Sequence, residues 1–167
     1  RIHPFNVLVA LYTYRKGQGM SSTWTPTAKI VDALDEMYYA SFANVVPTGK
    51  RTMDCLDVSG SMGAAAAGRL PMTCREVSAA LAMVSVRTEP NQMTVGFTGQ
   101  SGGGRYSGWG YQNPLPLSSS GLTDLPLSGR QRLDDVIKTI SDLPFGRTDC
   151  ALPMVEALRR GLEIDTF

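Results

Sequence analysis

The residues best suited to chemistry lie in the segment Asp57-Val58-Ser59-Gly60-Ser61. Its carboxylate and two hydroxyls occupy alternate positions, so three hard oxygen atoms can point at one place. Mg²⁺ prefers oxygen ligands in an octahedron and leaves some positions to water or to a partner. The pattern therefore predicts that Asp57, Ser59 and Ser61 bind Mg²⁺ or another divalent cation. Taken alone, it is equally compatible with a Ser/Gly turn that Asp57 caps.

Thr148 is the fourth candidate ligand. It follows the tight turn Phe145-Gly146-Arg147, and we expect Thr148 or Asp149 to open the last helix. A hydroxyl at that position can face the same strand ends as Ser59 and complete a metal site shared between two loops. Helix N-capping is the commoner role of such a threonine, and the sequence leaves both roles open.

Strands alternating with helices must position these ligands. Residues 52–58 form a short, mostly apolar run that ends in a Gly/Ser turn, as a buried parallel strand does. A capping box at residues 73–76 opens a helix, and residues 93–98 are predicted to form a second strand. This alternation predicts an α/β fold, a doubly wound and mostly parallel sheet covered on both faces. Asp57 then lies at the carboxyl edge, where such sheets bind ligands.

The first 46 residues differ from the rest and predict a helical hairpin. Pro4 suits a first helical turn, and apolar residues then recur at helical spacing until Gly17. A second helix follows, and Pro47-Thr48-Gly49 breaks its pattern. We therefore predict two domains, with the helical segment at 1–46 and the α/β domain at 47–167.

Residues 99–129 are rich in Gly, Ser and Pro and carry interleaved Arg and aromatic residues such as Arg105 and Trp109. The segment is long for a connection, so we expect a mobile surface excursion, in which a small hairpin could form. Its aromatic side chains could stack on unpaired bases. Packing of the loop on itself or on a neighbour is the simpler alternative.

Overall charge does not distinguish between partners, because 16 Lys and Arg oppose 15 Asp and Glu. The distribution is more informative, since no acidic residue precedes Asp32. The basic residues of that stretch are Arg1, Arg15, Lys16 and Lys29. They form a weakly basic patch that either contacts nucleic-acid phosphates or is simply a solvated helix face.

Cysteine usage and hydropathy indicate the compartment. The 3 cysteines, Cys55, Cys74 and Cys150, have no paired spacing, which predicts free thiols in a reducing, cytoplasmic environment. No apolar run approaches the roughly 18 residues that a membrane-spanning helix needs. We therefore expect no membrane partner.

The metal motif resembles a known one. Asp57-x-Ser59-x-Ser61 with Thr148 on a second loop is similar to the metal-ion-dependent adhesion site (MIDAS) of von Willebrand factor A domains. Longer stretches resemble the Ro ribonucleoprotein autoantigen family, which is TROVE-type and RNA-binding. They are Arg1-Ile2-His3-Pro4-Phe5, Pro47-Thr48-Gly49-Lys50-Arg51, Asp57-Val58-Ser59-Gly60-Ser61-Met62 and Thr148-Asp149-Cys150-Ala151-Leu152-Pro153-Met154.

This resemblance implies a function. In Ro proteins a ring of HEAT-like helical repeats binds small non-coding Y RNAs outside and the ends of misfolded RNAs in its hole. An A domain closes the ring. Residues 1–46 would be the last ring helices and the rest the A domain, so the main RNA surface would precede Arg1. The MIDAS would dock an acidic group of a partner, such as a nuclease or another cytosolic protein.

Three departures bear on that transfer. In the family a third metal loop supplies an Asp after a strand that would begin near Asp165, whereas this chain stops at Phe167. We therefore expect an A domain truncated on its C-terminal side, with one metal contributor fewer. Arg147 occupies a position where a second Gly is expected, and the Gly-rich excursion is long for its place.

Two other function classes compete with this assignment. A serine hydrolase needs a base, but the only histidine, His3, lies in the helical segment, and Ser59 breaks the G-x-S-x-G pattern around Ser61. An aspartate-based phosphoryl-transfer enzyme would want a second acid at position 59. We therefore predict a non-enzyme. The other alternative is an adhesion-type A domain that binds a protein through its metal and has no link to RNA, but such a domain does not need residues 1–46.

Overall fold

The computed structural model describes residues 1–98, 121–143 and 148–167. In these ranges helices and strands follow one another as an α/β fold. The helices are α1 (Pro4–Lys16), α2 (Ala28–Ala40), α3 (Cys74–Thr88), α4 (Leu133–Ser141) and α5 (Leu152–Arg159). The strands are β1 (Thr52–Asp57), β2 (Gln92–Phe97) and β3 (Leu122–Asp124), and single 3-10 turns span Ser41–Asn44 and Gly60–Gly63. None of the helices in the described ranges is long and apolar enough to cross a membrane.

The sheet has the order β1-β2-β3. β1 and β2 are parallel, with Asp57 opposite Phe97, and β3 runs antiparallel to β2. At the other edge of β1, Thr166 forms a parallel bridge with Thr52, and the Met53 amide donates to the Thr166 carbonyl at 2.9 Å. The predicted mostly parallel sheet is confirmed.

Side-chain alternation along β1 explains how both faces of the sheet are covered. Leu56 and Val58 are buried with residues of α3 and α4, whereas Met53 is buried with Ala157 of α5 on the opposite face. Gly96 in β2 keeps the first face tight, because an added Cβ would lie 3.1 Å from Leu143 and 3.2 Å from Val58.

The helical segment is an antiparallel pair of helices. α1 begins at Pro4 and is capped at its C-terminus by Gly17, whose φ of 69° is the left-handed conformation that glycine tolerates best. The Trp24 indole donates to the Tyr14 carbonyl at 3.0 Å, and the Asn44 amide donates to the Ile2 carbonyl at 3.1 Å. These contacts bring the end of α1 to the start of α2, and the end of α2 back to the start of α1.

Aromatic and arginine side chains join the helical segment to α3 and α4. The Arg87 guanidinium lies 4.8 Å from the ring centroids of both Tyr39 and Phe42. The Tyr39 hydroxyl accepts a hydrogen bond from the Leu133 amide at 3.1 Å, and Arg132 pairs with Asp35 at 2.8 Å. The two segments therefore share one buried cluster.

Two details differ from the sequence-based expectations. The last helix starts at Leu152 rather than at Thr148 or Asp149. An earlier start would place Pro153 in the second turn, where its ring clashes with the preceding backbone. The predicted excursion at 99–129 contains β3, because Leu122 is buried with Val95 and Phe97. Residues 99–120 lie outside the described ranges.

Candidate metal centre

Asp57 is the last residue of β1, and the chain after it turns back on its carboxylate. The Ser59 amide donates to Asp57 Oδ1 at 2.7 Å, an Asx-type turn that fixes the side chain. Asp57 Oδ2 has no hydrogen bond within the described part of the chain. One carboxylate oxygen therefore shapes the loop and leaves the other for a ligand.

The two serine hydroxyls meet, as their spacing predicts. Ser59 Oγ and Ser61 Oγ are 3.0 Å apart and form a hydrogen bond. Neighbouring oxygen ligands of Mg²⁺, with bonds of about 2.1 Å at right angles, are also separated by about 3 Å. Ser59 is 3% exposed, whereas Ser61 is exposed. This pair therefore fits two adjacent positions of a metal octahedron that opens to solvent.

Residues 57–61, which we call the metal loop, owe their shape to contacts on both sides of the two serines. Val58, 1% exposed, anchors the start of the loop in the core. The Met62 amide donates to the Ser59 carbonyl at 3.2 Å, and the Ala64 amide donates to the Ser61 carbonyl at 3.0 Å. Arg75 of α3 adds a second donor to the Ser59 carbonyl, with Nη2 at 3.1 Å.

Thr148 lies at the same edge of the sheet as Asp57. Because Thr166 pairs in parallel with the first residue of β1, the preceding helix α5 must run from the carboxyl edge toward the amino edge. Thr148, which precedes α5, therefore lies on the carboxyl side. It is exposed, and no described residue makes a hydrogen bond to its hydroxyl. Asp149, rather than Thr148, accepts the Ala151 amide, at 3.0 Å.

Within the described part of the chain, no acid-rich or thiol-rich cluster offers an alternative metal site. The described ranges contain no group of three or more His, Cys, Asp and Glu side chains able to hold a metal. Cys55, Cys74 and Cys150 are all free thiols. Any cation at the carboxyl edge would therefore rest on one carboxylate and on hydroxyls.

The four basic residues proposed for RNA do not form one patch. Arg15 and Lys16 end α1, and Lys29 lies in the first turn of α2, so these three share the tip of the helical hairpin. Arg1 precedes α1 at the opposite end, about 20 Å away for a 13-residue helix. All four are exposed. The structure thus separates Arg1 from the other three.

Sequence reasoning missed the position of Arg75 beside the loop and the buried position of Asp54 on β1. Arg75 was noticed only as part of the capping box, since nothing in its spacing shows that its side chain reaches Ser59. Asp54 also lies on β1, but it points toward α3, where Ser85 donates to it at 3.1 Å. Burial raises the pKa of Asp54 to about 6, and the Ser85 hydrogen bond opposes that shift. Asp54 therefore faces away from the metal loop.

The comparison with known proteins decides the family. Residues 51–167 match the family model described as the Ro60 vWA domain. The chain belongs to the Ro60 family. Its Ro60 relatives include the RNA-binding protein RO60 of Caenorhabditis elegans, 36% identical over 100% of this chain and 23% of that protein. The RNA-binding protein RO60 of Deinococcus radiodurans is 34% identical over 100% of this chain and 28% of that protein.

A solved structure of a Ro protein supports the same fold. The crystal structure of the Deinococcus radiodurans RO (RSR) protein matches with a TM-score of 0.80 and 33% identity, covering 99% of this chain and 30% of that one. The resemblance inferred from the four sequence blocks is confirmed. The chain spans about a quarter of the length of these Ro60 relatives.

Proposed function

We propose that this chain is part of a non-catalytic, cytoplasmic RNA-binding protein of the Ro type that binds small non-coding, Y-like RNAs and misfolded RNAs. Support comes from the family: both RO60 relatives carry the name RNA-binding protein. The free cysteines agree with a reducing compartment.

The RNA contacts within this chain are assigned to the hairpin tip. Arg15, Lys16 and Lys29 are exposed there, and basic side chains bind phosphates without reading sequence. Three such residues contribute modestly, so most of the affinity belongs to other parts of the protein. Arg1, at the far end of α1, would contact a different stretch of RNA.

Filter binding tests the RNA assignment. The chain should retain a structured small RNA and a misfolded RNA at low salt, much more weakly than a full-length Ro protein. Arg15→Gln combined with Lys16→Gln and Lys29→Gln should weaken that retention. If this chain binds RNA as tightly as a full-length Ro protein, the main RNA surface has been placed wrongly. If the wild-type chain binds no RNA but binds a protein in a metal-dependent manner, an adhesion-type A domain is favoured instead.

The carboxyl edge is proposed as a MIDAS-type site for Mg²⁺ or another divalent cation. The observation that carries this is the 3.0 Å separation of the Ser59 and Ser61 hydroxyls beside Asp57. Those three residues and Thr148 would hold the cation. A bound Mg²⁺ supplies an open coordination position that favours a carboxylate oxygen. The site would thus dock an acidic group of a protein partner such as a nuclease.

A pull-down from cell extract tests the docking role. A partner that uses the metal site should be lost on addition of EDTA and in Asp57→Ala, and should return with Mg²⁺. The same partner retained under both treatments would show that it binds elsewhere on the chain.

A further inference from the structure

Arg75 is placed unusually for an arginine. It lies in the first turn of α3, and its Nη2 donates to the Ser59 carbonyl at 3.1 Å, inside the proposed metal loop. Its Nε is buried and has no hydrogen-bond partner. None of the ion pairs in the described ranges involves Arg75. A half-buried guanidinium thus lies against the loop without a counter-ion.

The surrounding chain does not supply that counter-ion. Residues 58–75 contain no Asp or Glu and two arginines, Arg69 and Arg75. Glu76 follows, but its carboxylate accepts from the Thr73 amide at 2.7 Å and the Thr73 hydroxyl at 2.9 Å in the capping box. Asp57 accepts the Ser59 amide through Oδ1 and forms no ion pair with Arg75.

This imbalance grows when a divalent cation binds. Asp57 can offset only part of the charge of the cation, and Arg75 adds a further positive charge close by. A partly desolvated charge is costly unless it is paired. An oxyanion that touches both the cation and the guanidinium would satisfy both, because guanidinium groups bind carboxylates strongly.

We propose that Arg75 is a specificity-determining residue of this site, which makes the loop take its divalent cation together with an oxyanion rather than alone. The inference rests on the proposed metal function of Asp57, Ser59 and Ser61. Arg75 acts in two ways, since it holds the Ser59 carbonyl and supplies a fixed positive charge for the anion.

The test measures coupling between cation and anion. Mn²⁺ binding to the purified chain is followed by electron paramagnetic resonance, with sodium acetate or sodium chloride at equal ionic strength. In the wild type, acetate should tighten Mn²⁺ binding by about 5-fold or more, the lower end of typical coupling between two ligands. In Arg75→Gln the tightening should fall below about 2-fold. Because each variant is compared with itself, a general loss of metal affinity does not affect the ratio.

Matched variants make the result specific. Arg75→Lys keeps the charge and should keep most of the acetate effect. Arg69→Gln removes an exposed arginine of the same segment and should leave it unchanged. Arg75→Met, which keeps the aliphatic stem, gives a second neutral variant in case Arg75→Gln does not fold.

The outcomes separate the two hypotheses. An equal acetate effect in wild type and in folded neutral variants overturns the role of Arg75, as does the absence of any acetate effect in the wild type. If the wild-type chain binds no Mn²⁺ at all, the proposed metal function itself fails, and the inference fails with it.

Discussion

The metal loop and the basic residues of the helical hairpin differ in how closely the structure brings their side chains together. Both were selected from sequence as groups of functional side chains. The structure gathers the first group and divides the second, because the Ser59 and Ser61 hydroxyls are 3.0 Å apart whereas Arg1 is separated from Arg15 by the length of α1.

The difference lies in what separates the residues along the chain. Ser59 and Ser61 occupy alternate positions in one tight turn that follows a buried strand, so local geometry alone brings their hydroxyls together. A helix between charged residues instead adds about 1.5 Å per residue. A count of charges over 30 residues therefore predicts a basic segment without predicting a basic surface.

The largest effect should come from the metal loop. Ser59→Ala removes a buried hydroxyl that faces Ser61, and we expect Mg²⁺ affinity to fall by about 30-fold or more, within the range for groups that orient or ligate a metal. Thr148→Ala should lower the Mg²⁺ affinity only a few-fold, because Thr148 is exposed and no described residue makes a hydrogen bond to its hydroxyl. Isothermal titration calorimetry measures both. A larger loss for Thr148→Ala would place the centre of the site on the second loop.

For the helical hairpin, the prediction concerns how RNA affinity depends on salt concentration. Replacing Arg15, Lys16 and Lys29 by Gln together should reduce the slope of log K against log salt by about 2 to 3, because each phosphate contact contributes roughly 0.7 to 1. Arg1→Gln should reduce it by at most about 1. Filter binding across a salt series checks this. Equal slopes for the wild type and the triple variant would remove the hairpin tip from the RNA interface.

A smaller effect, on stability, is expected at the contact between the helical segment and α4. Tyr39→Phe keeps the ring between Arg87 and Arg132 but deletes the hydroxyl that accepts the Leu133 amide at 3.1 Å. The free energy of unfolding in urea should fall by about 1 kcal/mol. Tyr14→Phe is the control, since among the described residues the Tyr14 hydroxyl makes hydrogen bonds only to the exposed Thr27. If the two variants lower the free energy of unfolding equally, the hydrogen bond between Tyr39 and Leu133 contributes nothing specific.

Acid should weaken the contribution of Glu156 to the stability of α5. Hydrogen bonds from Arg159 and Arg160 lower the pKa of Glu156 to about 2. A lowered folded-state pKa means that the stabilisation is present above the unfolded value of about 4.3 and is lost as the pH falls toward 2. The melting temperature of Glu156→Gln should therefore depend less on pH than that of the wild type between about pH 4 and pH 2. If the melting temperatures of the two proteins fall equally with pH across that range, Glu156 does not stabilise α5.

Much of the fold could be read from local chemistry. The Thr73–Glu76 capping box starts α3 as predicted, and the apolar run before Asp57 is a parallel strand. The last helix begins later than expected because Pro153 restricts where it can start. β3 was not predicted, because three residues in a Gly-rich segment are too few to show the alternation of apolar and polar residues that marks a strand. Arg75 could not be predicted, since its contact with Ser59 joins residues 16 positions apart and depends on tertiary packing.

The central claim is that the loop after β1 binds a divalent cation. Mn²⁺ titration of the wild-type chain and of Asp57→Ala, followed by electron paramagnetic resonance, tests it most directly, with circular dichroism to confirm that both are folded. We predict one saturable site in the wild type and none in Asp57→Ala. Absence of a site in the wild type, or an unchanged site in Asp57→Ala, would contradict the account.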